Sequence, residues 1–131
     1  MTKIFTMTHK KFTVPEDSVY VPLQVGKANH EDLGYLGDDT GDSISEWNCY
    51  YGELTGVYWL WKNYKGSENI GICHYRRFFI DEYMELLKEK DYDQILSEYD
   101  IITSKAMDAG EPYKEYYGKA HHVHDLEEEG R

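Results

Sequence analysis

A chain of 131 residues falls in the range of one domain, long enough to bury a core without disulfides or a structural metal. Its 25 acidic side chains outweigh 14 basic ones, for a formal charge of −11, which repels nucleic-acid phosphates and anionic membranes and argues against nucleic-acid binding. No apolar run approaches the roughly 18 residues of a membrane span, and no signal-peptide pattern is visible. The two cysteines, Cys49 and Cys73, match no paired metal-ligand spacing, so a soluble cytoplasmic protein with reduced thiols is expected.

Thirteen tyrosines stand against four phenylalanines and three tryptophans. Such amphipathic rings suit either a partly wet cleft that holds sugars or bases, or an aromatic-rich core.

In chain order, Lys3 to Met7 reads as a buried strand running into the polar turn Thr8-His9-Lys10-Lys11. Val19 to Val25 is a second extended segment, which Pro22 pushes towards a sheet edge or an irregular strand. Ala28 to Asp42, rich in Gly, Asp and Asn, predicts a long loop. From Trp47 to Lys62 the residues Trp47, Tyr50, Tyr51, Leu54, Val57, Tyr58 and Trp61 recur at helical spacing, which predicts one helix with Trp61 in its packed face. Asn69 to Tyr75 reads as a central strand that meets Arg76-Arg77. Asp81 to Lys90 and Tyr92 to Tyr99 read as helical turns, and Asp100 to Thr103 as a further buried strand. This alternation predicts an α/β fold, with a mostly parallel sheet and flanking helices, in a single domain over residues 1–131.

In such sheets ligands bind beyond the carboxyl ends of the strands. Three places there carry cations or hydroxyls suited to a pyrophosphate: Thr8 to Lys11, His74 to Arg77, and Ser104-Lys105. The competing reading has Arg76 and Arg77 paired with surface carboxylates. The Asp38-Asp39-Thr40-Gly41-Asp42 loop fits turn structure, recognition of sugar hydroxyls, or Mn2+ or Mg2+ held by Asp38, Asp39 and Asp42; its spacing fails the EF-hand pattern. His121, His122 and His124, with Asp125, point in divergent directions on either a helix or a strand, so a place near substrate is favoured over a metal site. Phosphate-binding glycine loops and nucleophile elbows are absent from the sequence.

Taken in order, Thr8-His9-Lys10-Lys11, Tyr20 to Gly26, Leu33 to Leu36, Asp38 to Ser45, Glu53-Leu54-Thr55, Tyr58 to Asn63, Ile70 to Arg77 and Ala120-His121-His122 resemble the motifs of a bacterial family, domain of unknown function 4422. Its members are regarded as glycosyltransferases of capsular or exopolysaccharide synthesis. The resemblance implies a GT-A-like domain that moves a sugar from a nucleotide-diphospho-sugar donor to a glycan or lipid-linked glycan acceptor, at most peripheral to the inner membrane face. It draws Thr8, His9, Lys10, Asp39, Asp42, Glu53, His74, Tyr75, Arg76, Arg77, His121 and His122 into a donor or substrate site. Where many such enzymes carry an Asp-x-Asp metal motif after this strand, the chain reads His74-Tyr75-Arg76-Arg77, and cations are expected to replace the metal. Family members extend past the His-His motif, so an N-terminal part lacking the acceptor side is expected. The alternatives are a non-catalytic binding or assembly module, which includes a homo-oligomer, and a metal-dependent hydrolase built on the acidic loop and the C-terminal histidines.

Overall fold

The computed structural model describes residues 1–104. Its centre is β1, Thr2–Thr8, a strand buried on both faces. Side chains alternate across a strand, so Ile4 joins Val19, Tyr20, Cys73, Leu87 and Tyr92 on one side, while Phe5 and Met7 join Leu23, Val25, Trp59 and Leu60 on the other. Two apolar faces on one strand dictate a layer on each side of the sheet.

β2 (Tyr20–Gln24) and β4 (Asn69–His74) flank β1, and the two-residue β3 (Leu36–Gly37) completes the order β3-β2-β1-β4. Every pairing is parallel, so the carboxyl ends Thr8, Gln24, Gly37 and His74 share one edge. The Pro22 expectation holds in a particular way. Ile4 N–H donates to Val19 O and Val25 N–H to Thr8 O, which turns the odd-numbered residues of β2 towards β1. Pro22 therefore faces away, and β3 pairs only with Leu23 and Gln24. The missing amide costs no ladder bond.

The long loop contains a helical turn at Lys27–Asn29 as well as β3. The single helix expected from Trp47 to Lys62 is instead three pieces: a helical turn Ser45–Trp47, α1 over Asn48–Tyr51 and α2 over Leu54–Asn63. The break is Gly52, at φ 57° and ψ −134°, a conformation open in practice only to glycine. It rotates the register of the stripe. α2 buries Thr55, Gly56, Trp59 and Leu60, while Trp61 is 71% exposed, so the expected packing role of Trp61 belongs to Trp59.

After β4, a hydrogen-bonded turn over residues 80–86, with Met84 at φ 63°, replaces the expected helix start at Asp81. α3 is Glu89–Glu98, opened by Asp91, whose Oδ2 accepts from Lys88 N–H at 2.8 Å. It closes the second face through Tyr92. The buried Tyr20 hydroxyl donates to Leu87 O at 2.5 Å and so accepts from Tyr92 at 2.8 Å. Burial, first, and then this hydrogen bond push the Tyr92 phenol far above its ordinary range. Residues 100–103 do not form the expected strand: Ile101 is exposed and only Ile102 reaches the core, so β4 is left as an edge among the described residues. None of the described helices is long and apolar enough to cross a membrane.

Candidate functional site

The carboxyl edge of the sheet is built from below by buried polar groups. Thr8, the last residue of β1, is fully buried; its hydroxyl donates to Lys10 O at 2.5 Å and accepts from Lys10 N–H at 3.1 Å, fixing the turn that presents His9 and Lys10. β4 ends beside it. Tyr75 N–H donates to Met7 O at 3.0 Å, and Arg77 N–H turns back onto His74 O at 2.8 Å. His9 therefore meets Tyr75 edge to face with ring centroids 5.4 Å apart, His74 lies 4.5 Å from Tyr75, and the Arg76 guanidinium stands 5.4 Å from the same ring. Phe12 also packs on Tyr75 and is itself packed on Tyr35.

Glu53, at the start of α2, reaches this cluster across the sheet edge. His74 Nδ1 accepts from Arg76 N–H at 3.2 Å, which leaves Nε2 as the donor to Glu53 Oε1 at 3.1 Å. The His9 pKa is lowered, first by partial burial of the ring, then by Lys10, His74 and Arg76; Glu53 opposes the shift. Neither Arg76 nor Arg77 forms an ion pair with a carboxylate among the described residues, so the competing surface-pair reading finds no support there.

Seven of the expected site residues thus converge: Thr8, His9, Lys10, Glu53, His74, Tyr75 and Arg76. Arg77 joins through its backbone. Asp39 lies beside Gly37 at the end of β3, on the same carboxyl edge, whereas Asp42 is held elsewhere. Asp42 accepts from Tyr58 at 2.7 Å and is clasped by Asn63 at the opposite end of α2, about 15 Å along the helix axis from Glu53 at 1.5 Å per residue. His121, His122 and Lys105 lie outside the described residues.

Asp38 has a different task from the one its neighbours suggested. It is fully buried, and its Oδ2 accepts from Gly26 N–H at 2.9 Å and Thr55 Oγ1 at 2.6 Å. Its Oδ1 accepts from Lys27 N–H at 3.2 Å and Ser45 Oγ at 2.5 Å. One carboxylate ties the ends of β2 and β3 to the turn before α1 and to α2. Asp38, Asp39 and Asp42 consequently do not gather around a common point, and among the described residues no group of three His, Cys, Asp or Glu side chains is placed to hold a metal ion.

Phe12 is the residue missed by sequence reasoning, and Tyr35 enters there only within the Leu33 to Leu36 motif, not as a site residue. Each sits in a loop without periodicity, and for Phe12 only the aromatic richness of the chain was a hint.

An α/β domain with an all-parallel sheet, helices on both faces and its polar cluster at the carboxyl edge has the layout of a GT-A-like domain. The chain belongs to the family described as domain of unknown function (DUF4422), whose model matches residues 3–130. Among solved structures it is similar to the apo structure of WbbM, a bifunctional glycosyltransferase, with 35% identity and a TM-score of 0.54 over 73% of this chain. The match spans 19% of that protein's chain. No curated protein matches.

Proposed function

We propose that this domain supplies the donor side of a glycosyltransferase of capsular or exopolysaccharide synthesis, with a nucleotide-diphospho-sugar bound at the carboxyl edge of the sheet. The observation that carries the reading is the convergence of Lys10, Arg76, His9, Tyr75, His74 and Glu53 at that edge, with the Arg76 guanidinium resting on Tyr75 and without a carboxylate partner among the described residues. A planar guanidinium and an ammonium suit two adjacent phosphates, and Tyr75 offers a ring to a base or sugar. Both cations are carried on short turns whose backbone bonds are satisfied.

In this reading the bond between the anomeric carbon and the donor phosphate oxygen breaks, and a bond to the acceptor hydroxyl oxygen forms. The nucleoside diphosphate leaves with its charge met by Lys10 and Arg76. The acceptor proton passes to Glu53, a carboxylate of the cluster that His74 orients.

Calorimetric titration with uridine, guanosine, cytidine and thymidine diphospho-sugars tests the reading. Arg76→Ala should weaken the productive donor by about 1.5–3 kcal/mol, roughly 10- to 150-fold, and Arg76→Lys by less, since it keeps charge but loses the fork. Unchanged affinity in Arg76→Ala, or no donor bound by the folded protein, overturns it.

A second reading, an assembly module, draws on the edge of β4, which is unpaired among the described residues. Ile70, Ile72 and Ile101 are exposed there around a groove of about 280 Å3. Light scattering on purified protein separates the two, since a monomer that binds donor leaves the assembly role without support.

A further inference from the structure

The helical stripe that sequence reasoning assigned to the core is split by Gly52, and its first part is left on the surface. Trp47 is 50% exposed, Tyr50 75% and Tyr51 49%, with the Trp47 and Tyr50 rings 6.0 Å apart at 41°. Their position is fixed by what lies beneath them. Ser45 is tied to Asp38 at the end of β3, and the Asn48 side chain lies so close to Gly26, just past β2, that a Cβ there would sit 2.6 Å from its Oδ1. The stretch then leads through Gly52 to Glu53, which meets His74 at the end of β4. The stretch that carries the three rings is therefore tied to the same carboxyl edge as the proposed donor site, and Glu53 follows it in the chain.

A soluble domain gains nothing from three exposed aromatic rings unless something covers them. The chemistry around them narrows the occupant. Glu46 and Glu53 border the rings, and the chain as a whole carries −11, so an anionic membrane, a nucleic acid or a second copy of this chain would each be repelled. A neutral polyhydroxylated chain would not be. Its C–H faces stack on tryptophan and tyrosine, while its hydroxyls donate to carboxylates and to phenol oxygens. We propose that Trp47, Tyr50 and Tyr51 form the platform for a neutral glycan acceptor, which lies across the rim with its terminal hydroxyl towards Glu53. This assignment rests on the donor-side reading for its catalytic meaning, but the platform binds glycan independently of the donor.

Protein labelled with 5-fluorotryptophan gives one fluorine resonance each for Trp47, Trp59 and Trp61, assigned through single Trp→Phe variants. Titration with cellotetraose, maltotetraose and mannotetraose should shift the Trp47 resonance with at least one of them and leave Trp61, at the far end of α2, unmoved. Tyr50→Ala should weaken that response roughly threefold to tenfold, and tetragalacturonate should bind more weakly than the neutral chains. A silent Trp47 with all three neutral oligosaccharides, an equal response at Trp61, or a dimer in light scattering that Tyr50→Ala dissolves would overturn the proposal. Nucleotide-sugar titration of the same wild-type sample keeps the two readings apart. Donor binding with a silent Trp47 removes the platform alone, whereas a Trp47 response without donor binding removes the donor reading and leaves a glycan-binding surface.

Discussion

Replacing Asp38 tests how the carboxyl edge is held. The carboxylate takes four donors, two on each oxygen, and two of them are backbone amides that cannot reorient. Asp38→Ala would orphan Gly26 N–H and Lys27 N–H and leave the Ser45 and Thr55 hydroxyls to find other partners, a loss of about 3–5 kcal/mol, as for breaking a buried charged network. Asp38→Asn separates the terms, because the shape is kept. One oxygen still accepts, but the amide NH2 must face either Gly26 N–H or Lys27 N–H, donor against donor. The hydroxyls can turn to accept from it; the backbone amide cannot. The cost should be that of one unsatisfied buried N–H, about 1–3 kcal/mol, with the amide group turned to Lys27, whose contact is the longer at 3.2 Å. Urea unfolding followed by tryptophan fluorescence measures both variants, and thermal melts should show about 3–5 °C per kcal/mol for a chain of this length. Equal destabilisation of the two variants would refute the donor-by-donor reasoning. A loss under about 1 kcal/mol in Asp38→Ala would refute the network itself and return Asp38 to the candidate metal ligands.

Trp59→Ala should cost about 3–5 kcal/mol in the same urea assay, because Trp59 is 7% exposed and its Nε1–H donates to Thr40, whereas Trp61→Ala should stay within about 0.5 kcal/mol. Gly52→Ala should destabilise by about 1–3 kcal/mol, since φ 57° with ψ −134° strains any Cβ even though the space around it is open; an unchanged midpoint would show that the break between α1 and α2 is not imposed by this residue. His9 should titrate below the ordinary histidine value of 6.5 by NMR, and Arg76→Gln should raise its midpoint only in part, because burial is the leading cause. The sign for stability follows: the unfolded chain binds the proton more tightly, so His9 makes stability fall as pH drops below about 6.5 and stops doing so once the folded-state imidazole is charged. A His9 midpoint above 6.5 would contradict the arrangement of cations around it.

Much of the fold was legible because its signals are local. The buried run from Lys3 to Met7, the extended stretch around Pro22 and the apolar Ile70-Gly71-Ile72-Cys73 each became a strand, and the alternation of elements gave the parallel sheet. The errors share one physical source. A helical period says which residues lie on a common face but not which face is buried, and a single glycine in a conformation closed to other residues resets the phase. That is why Trp61, expected on the packed face, is exposed while Trp59 and Leu60 are buried. The segment Asp81 to Leu87 has helical composition, yet the Ile80–Leu86 bridge and the positive φ of Met84 turn it, and tertiary context outweighs propensity there.

The site was legible in part for a related reason. Residues that follow strands of a parallel sheet arrive at one edge whatever their separation in sequence, so Thr8 to Lys10 and His74 to Arg76, more than 60 positions apart, could be placed together before any coordinates. The acidic loop could not be read that way. Its five residues look equivalent in sequence, but Asp38 follows β3 directly and is drawn inward by four donors, while Asp42 lies five residues past the strand and is claimed by Tyr58 and Asn63 at the far end of α2. Position relative to a two-residue strand, which no periodicity announces, decides which carboxylate is structural. The same short strand anchors the turn that leads into α1, so the acid that looked most like a metal ligand instead holds in place the aromatic rim and, through Gly52, the Glu53 that faces His74.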